Sequence, residues 1–371
     1  MKIQVHRGFA LAAILACTAA ATFDLNSSAQ TNSGGSSKYL QEATDGIATL
    51  QGWYNTSTGL YNTTGWWNSA NAITVLTDYS MAARTQQYAS TLANTFAAAQ
   101  NSNPGFINHY YDDEGWWALA WIDAYDLTHA PQYLEMAESI FADITGGWDT
   151  TTCGGGVWWS KDRTYKNAIA NELFLSVAAH LANRTAEPQR SQYANWSRRE
   201  WNWFSQSGMI NAQNLINDGL NSTNPDACAN NGQATWSYNQ GVILGGLAEL
   251  SRFSNDRSVL PRAAQIATAA IAHLTDANGI LHDPCEPNCG ADGPQFKGVF
   301  ARNLMRLDAT APNPAYRSFA DTNADSIWNH DQGANYSFGL IWSGPFDSAD
   351  PARQSSALDA VVSAAVMNQD R

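Results

Sequence analysis

The sequence predicts an all-α protein, a six-hairpin toroid or (α/α)6 barrel, and three observations lead there. Apolar residues recur at three- and four-residue spacing along most of the 371-residue chain, as at Tyr88, Leu92, Phe96 and Ala99. Strand signals are confined to Val157-Trp158-Trp159 and residues 335–342. The helical stretches number twelve, which pair into six hairpins; no Pro/Gly-rich linker divides them, so they read as one domain.

The elements follow in order. Lys2 and Arg7 precede an apolar run from Phe9 to Ala21, and Ser27-Ser28-Ala29 offers a small-x-small cleavage site, so residues 1–29 read as a signal peptide. Cleavage after Ala19-Ala20-Ala21, or lipid attachment at Cys17 within Ile14-Leu15-Ala16-Cys17, are the other readings of this segment. The mature chain is expected to be secreted or periplasmic and to hold no transmembrane segment. Residues 30–37 read as a short flexible linker and 38–371 as a single catalytic domain. The helices are expected at 38–51, 67–82, 85–100, 114–128, 131–145, 165–183, 188–206, 235–254, 260–275, 294–308, 314–329 and 351–368. Pro131, Pro188, Pro261, Pro314 and Pro351 stand near helix starts, where a missing N–H costs little.

The even-numbered helices carry aromatic and polar clusters in their first turns: Trp66-Trp67-Asn68, Asp112-Asp113-Glu114-Gly115-Trp116-Trp117, Lys166-Asn167 with Asn171-Glu172, Tyr238-Asn239-Gln240-Gly241 and Phe296-Lys297-Gly298. The odd-numbered helices are ordinary amphipathic ones. The even helices are therefore expected to form an inner ring whose N-termini converge on one mouth.

Composition narrows the partner. Only 14% of residues are charged, against about 25% in an average soluble protein, and the formal charge is −13. With 44% hydrophobic residues the chain can bury a core and is not disordered. An acidic chain with no basic cluster is a poor nucleic-acid binder. Fifteen Trp, fourteen Tyr and thirteen Phe suit stacking on the apolar faces of sugar rings. Beyond the signal segment, Cys153, Cys228, Cys285 and Cys289 remain for an oxidising compartment. Cys285 and Cys289 can close a small loop, leaving Cys153 with Cys228; three pairings are open, and zinc binding by all four is the other use.

The chemistry concentrates at Tyr110-Tyr111-Asp112-Asp113-Glu114-Gly115-Trp116-Trp117. Acids at a helix start cap free N–H groups, but capping does not require the surrounding aromatic wall. Glycoside hydrolysis needs two carboxyl groups beside the scissile bond, one protonated and one ionised. Two adjacent Asp can splay to the roughly 5–5.5 Å of a retaining enzyme, and their mutual repulsion raises one pKa. Trp117 and Trp121 follow Asp113 at helical spacing and are expected on its face.

Tyr111-Asp112-Asp113-Glu114-x-Trp116-Trp117, Gly155-Gly156-Val157-Trp158-Trp159, Lys166 to Leu173, Tyr238-Asn239-Gln240-Gly241 and Phe296-Lys297-Gly298 together resemble glycoside hydrolase family 76, the α-1,6-mannanase family, over about residues 39–370. The resemblance implies the (α/α)6 barrel and endo-acting, retaining hydrolysis of α-1,6-mannan without metal or organic cofactor. It implies Asp112 as nucleophile and Asp113 as general acid/base. Tyr111, Trp67, Trp116, Trp117, Trp159, Asn167, Asn171, Tyr238, Asn239 and Lys297 are the candidate substrate-binding residues, α-mannan polysaccharide or oligosaccharide the expected partner, and a monomer the expected state. The chain ends in Met367-Asn368-Gln369-Asp370-Arg371 without the apolar tail of GPI-anchored fungal relatives, which favours a free hydrolase. The rival readings are a transglycosylase or other (α/α)6 glycosidase on a mannose-containing glycan, and a non-catalytic mannan-binding protein.

Overall fold

The computed structural model describes residues 33–221, 228–254 and 257–369. The signal-peptide reading, its cleavage sites and Cys17 lie outside the described residues. Among the described residues there are twelve α-helices: α1 Ser33–Gln51, α2 Trp66–Ala82, α3 Ala89–Ala98, α4 Tyr111–Thr128, α5 Pro131–Thr145, α6 Ala168–Arg184, α7 Gln189–Phe204, α8 Ser237–Ser254, α9 Leu260–His273, α10 Phe296–Thr310, α11 Pro314–His330 and α12 Pro351–Gln369. Two small antiparallel hairpins, Tyr54–Asn55 with Leu60–Tyr61 and Leu220–Asn221 with Ala229–Asn230, interrupt them. Residues 33–37, expected as linker, belong to α1. Helix α6 starts at Ala168 and not at 165, because the Asn167 side chain turns back to accept from the Ala170 N–H and caps it.

The even helices pack in sequence from α2 to α12, and α12 returns to α2, closing a ring. Outside it, α1 lies on α12, α5 on α4, α7 on α6, α9 on α8 and α11 on α12. The sequence explains the two layers. Nearly every residue of α2 and α6 is buried, and their polar side chains are spent locally: Thr77 Oγ1 donates to the Ile73 carbonyl (2.8 Å) and Ser80 Oγ to Leu76 (2.7 Å). Glycines allow the inner helices to approach. A Cβ at Gly241 would meet the Phe300 backbone at 2.6 Å, and one at Gly298 the Ser356 backbone at 2.5 Å.

The two ends of the ring differ. The N-termini of the inner helices gather at the mouth beneath long loops. At the far end, their C-terminal turns carry ion pairs. Arg184 Nε reaches both oxygens of Asp126 (2.8 and 2.9 Å), Arg306 pairs with Asp123 (2.7 Å), and Glu249 lies between Arg184 (3.3 Å) and Arg252 (3.0 Å). Deeper in the barrel, Arg302 meets Asp359 at 2.8 Å.

The four cysteines of the described residues form Cys153–Cys228 and Cys285–Cys289, which removes them from zinc chemistry. The first disulfide ties the loop before α6 to the loop before α8, both at the mouth. No described helix is long and apolar enough to cross a membrane.

Candidate active site

A cleft of about 500 Å³ opens at the mouth, lined by Trp67, Tyr110, Asp112, Asp113, Trp116, Trp159, Tyr165, Asn167, Asp218, Tyr238, Asp292 and Phe296. It draws on the starts of α2, α4, α6, α8 and α10. Seven expected residues meet there: Asp112, Asp113, Trp67, Trp116, Trp159, Asn167 and Tyr238.

Asp112 and Asp113 occupy the first turn of α4, where unpaired N–H groups and the positive dipole end favour acids. The Trp159 indole N–H donates to Asp112 Oδ2 (3.0 Å), while Asp112 Oδ1 is buried and makes no hydrogen bond. The Asn108 amide donates to Asp113 Oδ2 (2.6 Å), and its orientation is fixed because its oxygen accepts from the Tyr110 N–H (2.8 Å). Burial pushes Asp112 well above the ordinary carboxylate range, and the charge of Asp113 pushes it further. Burial, with Asp292 nearby, pushes Asp113 up to about 6. Both carboxyls therefore hold protons more readily than ordinary aspartates, and they titrate as a pair. The third acid of the run, Glu114, faces away from the cleft to Lys161 (3.0 Å) and the Asn108 N–H (3.2 Å).

Aromatic rings line the walls. Trp67 and Trp116 stack at 5.6 Å, Tyr238 and Phe296 at 3.9 Å, and Tyr110 leans on Trp159 at 5.0 Å. Polar groups stand between them. The Trp67 indole donates to Asp292 (2.8 Å), and the Tyr165 hydroxyl donates to Asp218 (2.5 Å) while accepting from Asn231 (2.8 Å).

Five expected substrate contacts lie elsewhere. Tyr111 is buried, its ring behind the helix against Gly147 with the Lys161 ammonium over it; its neighbour Tyr110, outside the helix, takes the place in the cleft. Trp117 is fully buried and packs on Phe106 (4.7 Å) and Trp66 (5.5 Å), because one turn below Asp113 the helix face already meets the core. Asn171 braces the loop before α6, accepting from the Val157 N–H (2.6 Å) and donating to its carbonyl (3.0 Å). Asn239 is fully buried on α8. Lys297 is also buried, its ammonium held by Glu286 (2.7 Å) and the Leu340 carbonyl (2.6 Å) over the Trp342 ring.

Tyr110, Tyr165, Asp218, Asp292 and Phe296 were not among the expected contacts. Tyr110 and Phe296 sat inside the recognised clusters, one residue from the ones chosen. Tyr165 precedes Lys166-Asn167. Asp218 carried no local signal, since the Asn167–Gly219 bridge that brings it to the mouth is a long-range pairing.

The sequence profile of glycosyl hydrolase family 76 matches residues 24–371. A putative mannan endo-1,6-alpha-mannosidase of Schizosaccharomyces pombe is 28% identical over 294 residues, covering 74% of this chain and 64% of the relative. The mannan endo-1,6-alpha-mannosidase DFG5 of Candida albicans is 29% identical over 273 residues, covering 67% and 59%. The chain thus spans about three-fifths of the length of these curated relatives. Among solved structures, an inactive variant of an alpha-1,6-mannanase of Salegentibacter sp. HEL1_6, with two consecutive aspartates replaced and alpha-1,6-mannotetrose bound, shares the fold. Its TM-score is 0.81 at 21% identity, covering 89% of this chain and 99% of that one. The architecture is the (α/α)6 barrel.

Proposed function

The chain belongs to glycosyl hydrolase family 76, and from that premise we propose that it is a secreted, monomeric endo-α-1,6-mannanase working by double displacement. One observation carries the reading: two adjacent carboxyl groups, Asp112 and Asp113, both raised by burial, in a cleft walled by aromatic rings. The Salegentibacter relative supports it, being inactive once two consecutive aspartates are replaced.

In this reading Asp112 attacks the anomeric carbon and forms a mannosyl-enzyme. Asp113 gives its proton to the departing glycosidic oxygen. Asp113 then takes a proton from water, whose oxygen displaces Asp112 and restores the original configuration. Contacts around the pair pull towards this division, against the burial that pushes Asp112 up most strongly. Part of what raises Asp112 is the charge of Asp113, so a proton on Asp113 relieves Asp112, and the Trp159 N–H favours its ionised form. Asp292 helps Asp113 keep its proton. Trp67, Trp116, Trp159, Tyr238 and Phe296 offer stacking faces, and Asn167, Asp218 and Asp292 offer partners for hydroxyls. A neutral polymer needs no charge complement, which fits the low charge of the chain.

The test is incubation with unbranched α-1,6-mannan, sizing the products and following their anomeric configuration. Internal cleavage with retained configuration is expected. Inversion would remove the double displacement, and uncut polymer would remove the mannanase reading. Azide rescue separates the roles: it is expected for Asp113→Asn, and rescue confined to Asp112→Asn would reverse them.

A further inference from the structure

The loop between α11 and α12 holds an aromatic pair that the cleft does not use. Tyr336 is 43% exposed, the most exposed large hydrophobic side chain among the described residues. Its ring lies nearly flat on Trp328 of α11, with centroids 5.5 Å apart and planes 15° from parallel. Two consecutive residues in the left-handed region hold it there: Asn335 at φ 56° and Tyr336 at φ 58°. An L-residue, above all a bulky one, is strained in that conformation.

The rest of the fold enforces this placement. The fully buried Gln354 donates to the Tyr336 carbonyl (3.0 Å) and the Phe338 N–H donates to Gln354 Oε1 (2.8 Å), while the Thr49 hydroxyl donates to the Asn335 carbonyl. Relaxing Tyr336 into the core would cover apolar surface and release strain, yet the loop is pinned with the ring outward. Asn335, its neighbour in the chain, is exposed as well. A flat exposed ring beside an exposed amide matches the apolar face of a hexopyranose and a hydroxyl at its edge.

The position also fits. Gln354 lies in the first turn of α12, and Ser355 beside it donates to Gln295 at the start of α10 (3.1 Å), so this loop stands at the same end of the barrel as the cleft. In the ring α12 lies between α10 and α2, the helices that contribute Phe296 and Trp67.

We propose that Trp328 and Tyr336 form a second, non-catalytic polysaccharide-binding platform, taking a hexose ring of the polymer where it runs beyond the cleft. This rests on the mannanase reading. A chain held at two places on one rim gains affinity through effective concentration, whereas an oligosaccharide filling only the cleft gains nothing.

The test uses the full chain carrying Asp112→Asn, so that polymer stays uncut, in affinity electrophoresis through gels containing unbranched α-1,6-mannan. Adding Tyr336→Gly is expected to weaken retardation about three- to tenfold. Tyr336→Phe, which keeps the ring, should retain it. Glycine suits the left-handed backbone, so the Gly variant should melt no lower than its parent. Equal retardation of all three proteins overturns the platform, as does loss by Phe equal to that by Gly. In the otherwise unsubstituted enzyme, Tyr336→Gly should raise KM for the polymer and leave kcat/KM on a tetrasaccharide unchanged. A parallel fall on both substrates would place the effect in the cleft and overturn the proposal. Failure of the unsubstituted enzyme to cut both the polymer and the tetrasaccharide is a different result, and removes the mannanase reading itself.

Discussion

The mouth and the far end of the barrel use the same residue types on the same inner helices to opposite effect. At the far end carboxylates face guanidinium groups. Burial alone would raise Glu249, but His180, Arg184 and Arg252 hold it down to about 2. Burial also lowers His180, so near neutral pH the two arginines do most of the holding. At the mouth Asp112 and Asp113 have hydrogen-bond donors but no cation, and burial pushes both up. Position alone does not decide: Asp78 lies at the far end, but its nearest cation, Arg306, is 3.7 Å away and shared with Asp123, and burial pushes it up to about 7; even Asp359, 2.8 Å from Arg302, is pushed up to about 6. Glu249, compensated by arginines, ties inner helices together, while the two mouth acids stand without a cation.

The largest expected effect is at the mouth. Asp112→Asn should cut turnover by about 10³-fold or more, while removing a buried, unpaired charge should leave the melting temperature equal or higher at pH 7. A lower melting temperature would mean that the pair stabilises the fold, and the comparison would break. Arg184→Met should do the reverse. Leaving Asp126 and Glu249 short of a partner should cost about 3 kcal/mol in denaturant unfolding, with kcat/KM unchanged wherever the protein stays folded.

The pH dependence of stability separates the mouth acids from Glu249 by sign. The mouth acids have folded pKa values above their unfolded ones, so their charged forms oppose folding and protonation relieves the cost as pH falls from 7. Glu249 lies below its unfolded value near 4.5, so its contribution is full above 4.5 and lost as pH falls towards 2. Melting temperature should therefore rise from pH 7 to about 5 and fall below that; a monotonic fall from pH 7 would contradict the raised acids. The smallest effect is expected for Trp159→Phe, which keeps a ring and removes the donor to Asp112. Its kcat/KM should drop several-fold and the acid limb of its pH profile move up, since the ionised form loses its hydrogen bond. An unmoved limb would leave Trp159 as a wall only.

Much of this was legible in the sequence, for identifiable reasons. The helices are long and periodic, and the even ones carry aromatic and polar clusters in their first turns where the odd ones are ordinary amphipathic helices, so the inner ring is legible in the sequence. The cleft residues at helix starts were legible because clusters such as Asp112-Asp113 sit at a fixed place in each hairpin. Direction within a cluster was not. Consecutive helical residues differ by about 100°, so Tyr110 and Tyr111, or Trp116 and Trp117, divide between cleft and core by details of entry that no spacing rule supplies. Lys297 and Asn171 misled because a buried polar side chain holding a loop carbonyl carries the same signature as one awaiting a ligand. Asp218 was invisible because its place depends on a pairing between distant loops.

The closure of the inner ring has one more consequence. Because α12 packs on both α1 and α2, and Gln369 donates to the Ala82 carbonyl (3.1 Å), the first and last hairpins are neighbours in the circle and the order of hairpins along the chain is not imposed by the shape they make. Joining the two ends and reopening the chain at the short far-end turn between α10 and α11 would produce a circular permutant with the same six hairpins, the mouth loops uncut and the cleft intact. What would change is the route to the structure. The contact that now spans the whole chain would become local, and a different pair of hairpins would have to find each other last.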